Sequence, residues 1–106
     1  MITKTFMVDD TPLPVAYSAR TPILYNVLFP ENDFFQDISN AADGKDVMNS
    51  YYRFAYVGAY MAADGKIADF GDWLDGFDLV SFVQVLDDIW TFMNGNNKTS
   101  SKSKKK

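Results

Sequence analysis

The chain has 106 residues, the size of one ordinary domain, and its 47% apolar and 23% charged residues exclude wholesale disorder and fibrous repeats. It contains no cysteine and no histidine, which removes disulfides, thiolate and imidazole metal sites, Cys nucleophiles and His-based proton transfer. The net charge of −4 divides unevenly, since residues 1–97 hold fourteen acids against five bases and residues 98–106 hold five lysines and no acid.

From Ile2 to Val8, apolar and polar side chains alternate with period two, which predicts a strand. Asp9-Asp10-Thr11-Pro12 reads as a turn, and Leu13, Val15 and Tyr17 resume the alternation. Pro12 and Pro14 lack the N–H that a central strand donates, so the second strand is expected to be short and at an edge. Thr21-Pro22 marks a helix start with Thr21 as cap and Pro22 in the first turn, and Ile23, Leu24, Val27 and Leu28 are expected on its inner face before Pro30. Asp33 and Gln36 fit the reciprocal capping pattern, opening a second helix that runs to about Ala42.

Asp46 to Ala63 reads as the longest helix, apolar nearly all round and therefore central. Gly58 inside it costs about 1 kcal/mol relative to alanine, a cost that close approach of a neighbour could offset. Ala-Ala-Asp-Gly-Lys occurs at 41–45 and again at 62–66, and both copies read as helix ends with a left-handed glycine. Phe70, Trp73, Leu74 and Phe77 have helical spacing after Asp69, and Trp73 and Leu74 are expected to anchor this short helix. Asp78 caps the last helix with Phe77 stapled over Phe82, and Leu79, Phe82, Val83, Leu86, Ile89, Trp90 and Met93 form its expected buried stripe, ending at Asn94-Gly95.

The fold class is thus α+β and mostly α: an N-terminal β-hairpin followed by about five helices in one globular domain over 1–97. The Lys/Ser-rich residues 98–106 carry nothing apolar, which predicts a disordered basic tail that folding does not need. Nucleic acid is not an expected partner, because the acidic body repels phosphate. No apolar run approaches the ~20 residues that span a bilayer, and Met1 leads into an alternating polar segment rather than a signal sequence, so the expected location is the cytoplasm, with no membrane partner.

The acids assemble no catalytic or metal pattern. Asp64, Asp69 and Asp72 lack the spacing of a calcium loop and read as helix-opening residues, while adjacent Asp87 and Asp88 point about 100° apart on a helix and share no site. The expectation is no enzyme, no catalytic residue, no cofactor and no metal. Seventeen aromatics, nine Phe, six Tyr and two Trp, exceed what so small an interior needs, and the surplus is expected at a partner surface. Phe70, Trp73, Phe77 and Trp90 are the candidates, though this spacing also suits a packed core, and sequence leaves the division open.

Thr21-Pro22-Ile23-Leu24-Tyr25 with Leu28-Phe29, Phe35-Gln36-Asp37-Ile38, Tyr56-Val57 with Tyr60-Met61-Ala62, Trp73-Leu74-Asp75-Gly76-Phe77-Asp78, Ile89-Trp90 and the lysine-rich end together resemble the tail assembly chaperones of long-tailed phages and prophages. Pro30-Glu31-Asn32 departs from that pattern, standing where many relatives have a tighter glycine-containing link. The resemblance implies a chaperone in the host cytoplasm, absent from the mature virion, that binds the tape measure protein and helps recruit the major tail tube protein. It also implies a frameshifted longer form, with Lys104, Lys105 and Lys106 beside the slippery site, and allows a homo-oligomer. The alternative is a small interaction module or antitoxin-like regulator of a mobile element, and a hydrolase using only Asp and Glu is a distant third.

Overall fold

The structure is a computed structural model and describes residues 1–95, so the tail assigned to 98–106, with Lys104, Lys105 and Lys106, lies outside the described residues. Strands β1 (Ile2–Val8) and β2 (Thr11–Tyr17) form an antiparallel hairpin, followed by helices α1 (Thr21–Leu28), α2 (Phe34–Ala42), α3 (Val47–Ala62), α4 (Phe70–Asp75) and α5 (Leu79–Met93). In the hairpin Phe6 stands opposite Leu13 and Val8 opposite Thr11, leaving a turn of only Asp9 and Asp10, with Asp9 at a φ of 58°. β2 is as long as β1, seven residues, against the expectation of a shorter strand. Pro12 and Pro14 are two residues apart, so both missing N–H groups can share the strand's outer edge.

Phe6, Val8, Leu13, Val15 and Tyr17 are buried, with β2 laid along α3 and β1 touching α5. Six consecutive residues of α3, Phe54 to Ala59, are buried, as a central helix requires. Tyr17 passes its ring over Gly58 and donates its hydroxyl to the Phe54 carbonyl at 2.8 Å. A Cβ at Gly58 would fall within 2.5 Å of Tyr17 Cζ. Glycine is therefore what allows strand and helix to approach this closely. Gly44 and Gly65, at φ of 81° and 80°, end α2 and α3 in the left-handed conformation that the two Ala-Ala-Asp-Gly-Lys copies predict.

Three polar side chains join α1, α2 and α3 beneath the surface. Asp37 of α2 is only 6% exposed, and its Oδ2 accepts from the Tyr25 hydroxyl of α1 and from Arg53 of α3 at 3.1 Å. Arg53 Nε also donates to the Tyr25 oxygen at 2.8 Å. Burial and the bond to Asp37 raise the Tyr25 phenol well above its ordinary value, with Arg53 opposing. Burial pulls the Arg53 guanidinium down, but its bonds to Tyr25 and Asp37 outweigh this and leave it raised.

Thr21 is the first residue of α1 and not its cap. Its hydroxyl accepts from the Ser18 N–H at 2.9 Å and donates to Met61 Sδ at 3.1 Å. With Thr21 and Tyr25 turned inward one helical turn apart, Ile23 and Val27 face outward, contrary to their expected burial, while Leu24 and Leu28 pack partly against the core. The Pro30-Glu31-Asn32 link is closed by Asn32 N–H to the Phe29 carbonyl at 2.9 Å and by Phe34 N–H to Asn26 Oδ1 at 3.0 Å. Asp33 caps α2 through the Gln36 N–H at 3.0 Å, but the Gln36 side chain runs forward to Asn40 Oδ1 instead of back to the cap.

In α5 the Asp78 carboxylate accepts from the Ser81 N–H, which holds that carboxyl below its ordinary range, and Phe77 lies against Phe82 with centroids 5.0 Å apart. Phe82, Leu86 and Ile89 are buried, but Leu79 and Val83 are exposed, while Val85 and Phe92 pack on the core from the other flank. The inward direction is set by the spacing from Phe82 to Ile89, and it leaves Leu79 and Val83 on one side.

Two predictions follow from the Tyr17–Gly58 contact. Gly58→Ala adds helix propensity yet should lower stability by about 1–3 kcal/mol, the usual cost of overpacking. In a Tyr17→Leu background that cost should shrink, which a urea-unfolding double-mutant cycle measures. The second concerns pH: burial raises the Tyr17 phenol far above its ordinary value, so it stays protonated in the folded state while the unfolded chain ionises from about pH 10. The contribution of Tyr17 to stability should be level below about pH 10 and then fall with rising pH, by up to about 1.4 kcal/mol per pH unit. Tyr17→Phe should make the alkaline loss of stability less steep, leaving the part contributed by the raised Tyr25, as urea unfolding between about pH 8 and about pH 11 measures.

Candidate partner-binding surfaces

The four aromatics singled out from sequence occupy two separate places, and all four are half-buried. Phe70, at the start of α4, meets Phe29 of the α1 end and Tyr56 of α3 edge-on, with centroids 5.1 and 5.2 Å apart. Trp73, one turn on, meets Tyr56, Phe77 and Phe82 at 5.0 to 5.5 Å, again edge-on. Phe70, Trp73 and Phe77 thus form one cluster that seats α4 on α3 and α5. Trp90 belongs to another stack, lying nearly parallel to Tyr51 at 5.3 Å and Phe54 at 5.7 Å. Edge-to-face and stacked pairs contribute roughly 0.5–1.5 kcal/mol each beyond area burial, so these rings carry a structural task whatever else they touch.

The side chains most open to solvent are instead largely aliphatic. Ile23 and Val27 of α1 are 67% and 68% exposed, beside a cleft of about 280 Å³ lined also by Leu24, Met61 and Tyr60, with Arg20 and Asp64 at its sides. Leu79 and Val80 of α5 are 69% and 61% exposed and continue to Val83. Leu79 borders a second cleft of about 250 Å³ where Tyr52, Leu74, Phe77 and Phe82 meet. Phe35 is the one large aromatic side chain strongly exposed among the described residues. Helical periodicity had placed Ile23, Val27, Leu79 and Val83 inside. The signal for the opposite was the competing spacing of Thr21 with Tyr25 and of Phe82 with Leu86 and Ile89.

The charge around the two clefts differs. From Ile67 to Gly95 there are six aspartates and no lysine or arginine. Tyr56 and Tyr51 register this field: burial raises both phenols first, and Asp69 adds to the first and Asp87 to the second. Among the described residues no three or more His, Cys, Asp or Glu side chains are grouped to hold a metal ion, and no helix is long and apolar enough to cross a membrane. Comparison of the chain with protein-family models, curated proteins and solved structures gives no match.

The two kinds of position separate by substitution. Leu74 is half-buried under α4, so Leu74→Ala should cost about 1–2.5 kcal/mol, half the range for a fully buried leucine. Leu79→Ser should stay within about 0.5 kcal/mol, as exposed substitutions do. Thermal unfolding of both variants measures the difference.

Proposed function

We propose that this protein is a tail assembly chaperone of a long-tailed phage or prophage, acting in the host cytoplasm. It binds apolar segments of the tape measure protein and helps bring tail tube subunits to them. The observation that carries this reading is the pair of exposed aliphatic surfaces on a strongly acidic body, one at Ile23 and Val27 and the other at Leu79, Val80 and Val83. Aliphatic side chains offer non-directional, reversible contact to an apolar client, while net negative charge keeps loaded complexes from associating with one another. The run Trp73-Leu74-Asp75-Gly76-Phe77-Asp78 adds support, because its members build the corner beside one surface: Trp73 and Phe77 pack on Phe82, and Asp78 caps α5.

The test is co-expression with segments of the tape measure protein from the same genome, read by light scattering and co-elution. Segments should remain dispersed and elute with this protein. Equal aggregation with and without it would overturn the proposal, and specific capture of a toxin-like protein in its place would favour an antitoxin-like regulator.

A further inference from the structure

We infer that the corner between α4 and α5 is a docking surface for a basic amphipathic helix of another protein. The partner's apolar face would lie on Leu79, Val80 and Val83, and its lysines or arginines over Asp75 and Asp87. This deepens the reading of the protein as a client-binding chaperone and names the chemistry of one partner.

The surface is apolar at its centre and of one sign at its rim. Leu79, Val80 and Val83 lie in the first turns of α5 and are exposed, Leu79 and Val83 on the flank of the buried stripe of Phe82, Leu86 and Ile89 and Val80 further round the helix. Asp87 follows Val83 by four residues and therefore sits one turn further along the same face. On the other side the cleft of about 250 Å³ has Asp75 in its wall, together with Leu74 and Phe77. All charges from Ile67 to Gly95 are negative, so an incoming cation has no competitor within this stretch.

The same charge decides among occupants. A second copy of the chain would set aspartates against aspartates across the contact, and such like-charge juxtaposition disfavours pairing. Nucleic acid would meet carboxylates with phosphates. The chain's own residues 98–106 have five lysines but no apolar side chain to place on Leu79 and Val80. A helix presenting both apolar and basic side chains satisfies the centre and the rim together, which is how an amphipathic helix enters a groove.

The full chain, labelled with ¹⁵N, would be titrated with three synthetic peptides of about 18 residues, or five helical turns. One is an amphipathic leucine–lysine helix, the second replaces its lysines with glutamates, and the third replaces its leucines with alanines. The leucine–lysine peptide should shift amide resonances selectively between Leu74 and Asp87. Leu79→Ser with Val83→Ser should weaken its binding about tenfold or more. Asp75→Asn with Asp87→Asn should weaken it and reduce its dependence on salt. Equal binding of the glutamate or the leucine-free peptide, or shifts centred on Ile23 and Val27, would overturn the inference. A tape measure segment kept dispersed through α1, with no peptide bound at α5, would overturn it while leaving the chaperone reading intact. Peptide docking at α5 while tape measure segments aggregate unaided would support it and overturn that reading.

Discussion

A carboxylate cannot be carried into an apolar interior unaccompanied, and the arrangement of the first three helices follows from how Asp37 is accompanied. Its partners come from the two neighbouring helices, Tyr25 from α1 and Arg53 from α3, and the same Arg53 also bonds Tyr25. The network is closed, since each member bonds both others. Removing Arg53 would leave the Asp37 carboxylate buried without its counter-charge, which costs more than the net contribution of the intact set. Its structural consequence is directional. Tyr25 must point inward and toward α2, and this fixes the rotation of α1 about its own axis.

That rotation reaches the surface. Once Tyr25 is inside, Ile23 and Val27 are outside, and the cleft between α1 and the end of α3 opens beside them. Where the hairpin meets α3 the constraint is steric. Tyr17 can reach the Phe54 carbonyl only because Gly58 has no side chain, and the hairpin is thereby held against α3 while β1 touches α5. α3 therefore serves as the post to which the hairpin, α1, α2 and α5 are each fastened.

Much of this was legible in the sequence where the cause is local. Asp33 and Asp78 act as caps because a short carboxylate one turn before a free N–H needs nothing distant. The two left-handed glycines after Ala-Ala-Asp, and the need for a close neighbour at Gly58, were legible for the same reason. The inward face of α1 was not, because it is chosen by Asp37 and Arg53, twelve and twenty-eight residues beyond Tyr25. Thr21 has the residue type and position of a cap, yet its hydroxyl is committed to the Ser18 N–H and to Met61, the latter forty residues away and invisible to local pattern. Periodicity names a stripe of the right spacing, whereas tertiary bonds decide between two stripes of similar width.

The division of the aromatics follows the same logic. Rings of this size are most stabilising where several edges and faces can be satisfied at once, and Tyr56, Trp73 and Phe82 each meet two or more others. A short helix such as α4, six residues long, has little backbone bonding of its own, so it must be held by its side chains. Phe70 and Trp73, with Phe77 just beyond its end, do that. The first turn of α5, rooted by Phe82 and capped by Asp78, is then left free to display leucine and valine. The aromatics supply the rigidity, and the aliphatic residues beside them supply the open apolar area, so a client surface and a packed core can be drawn from the same short stretch of chain.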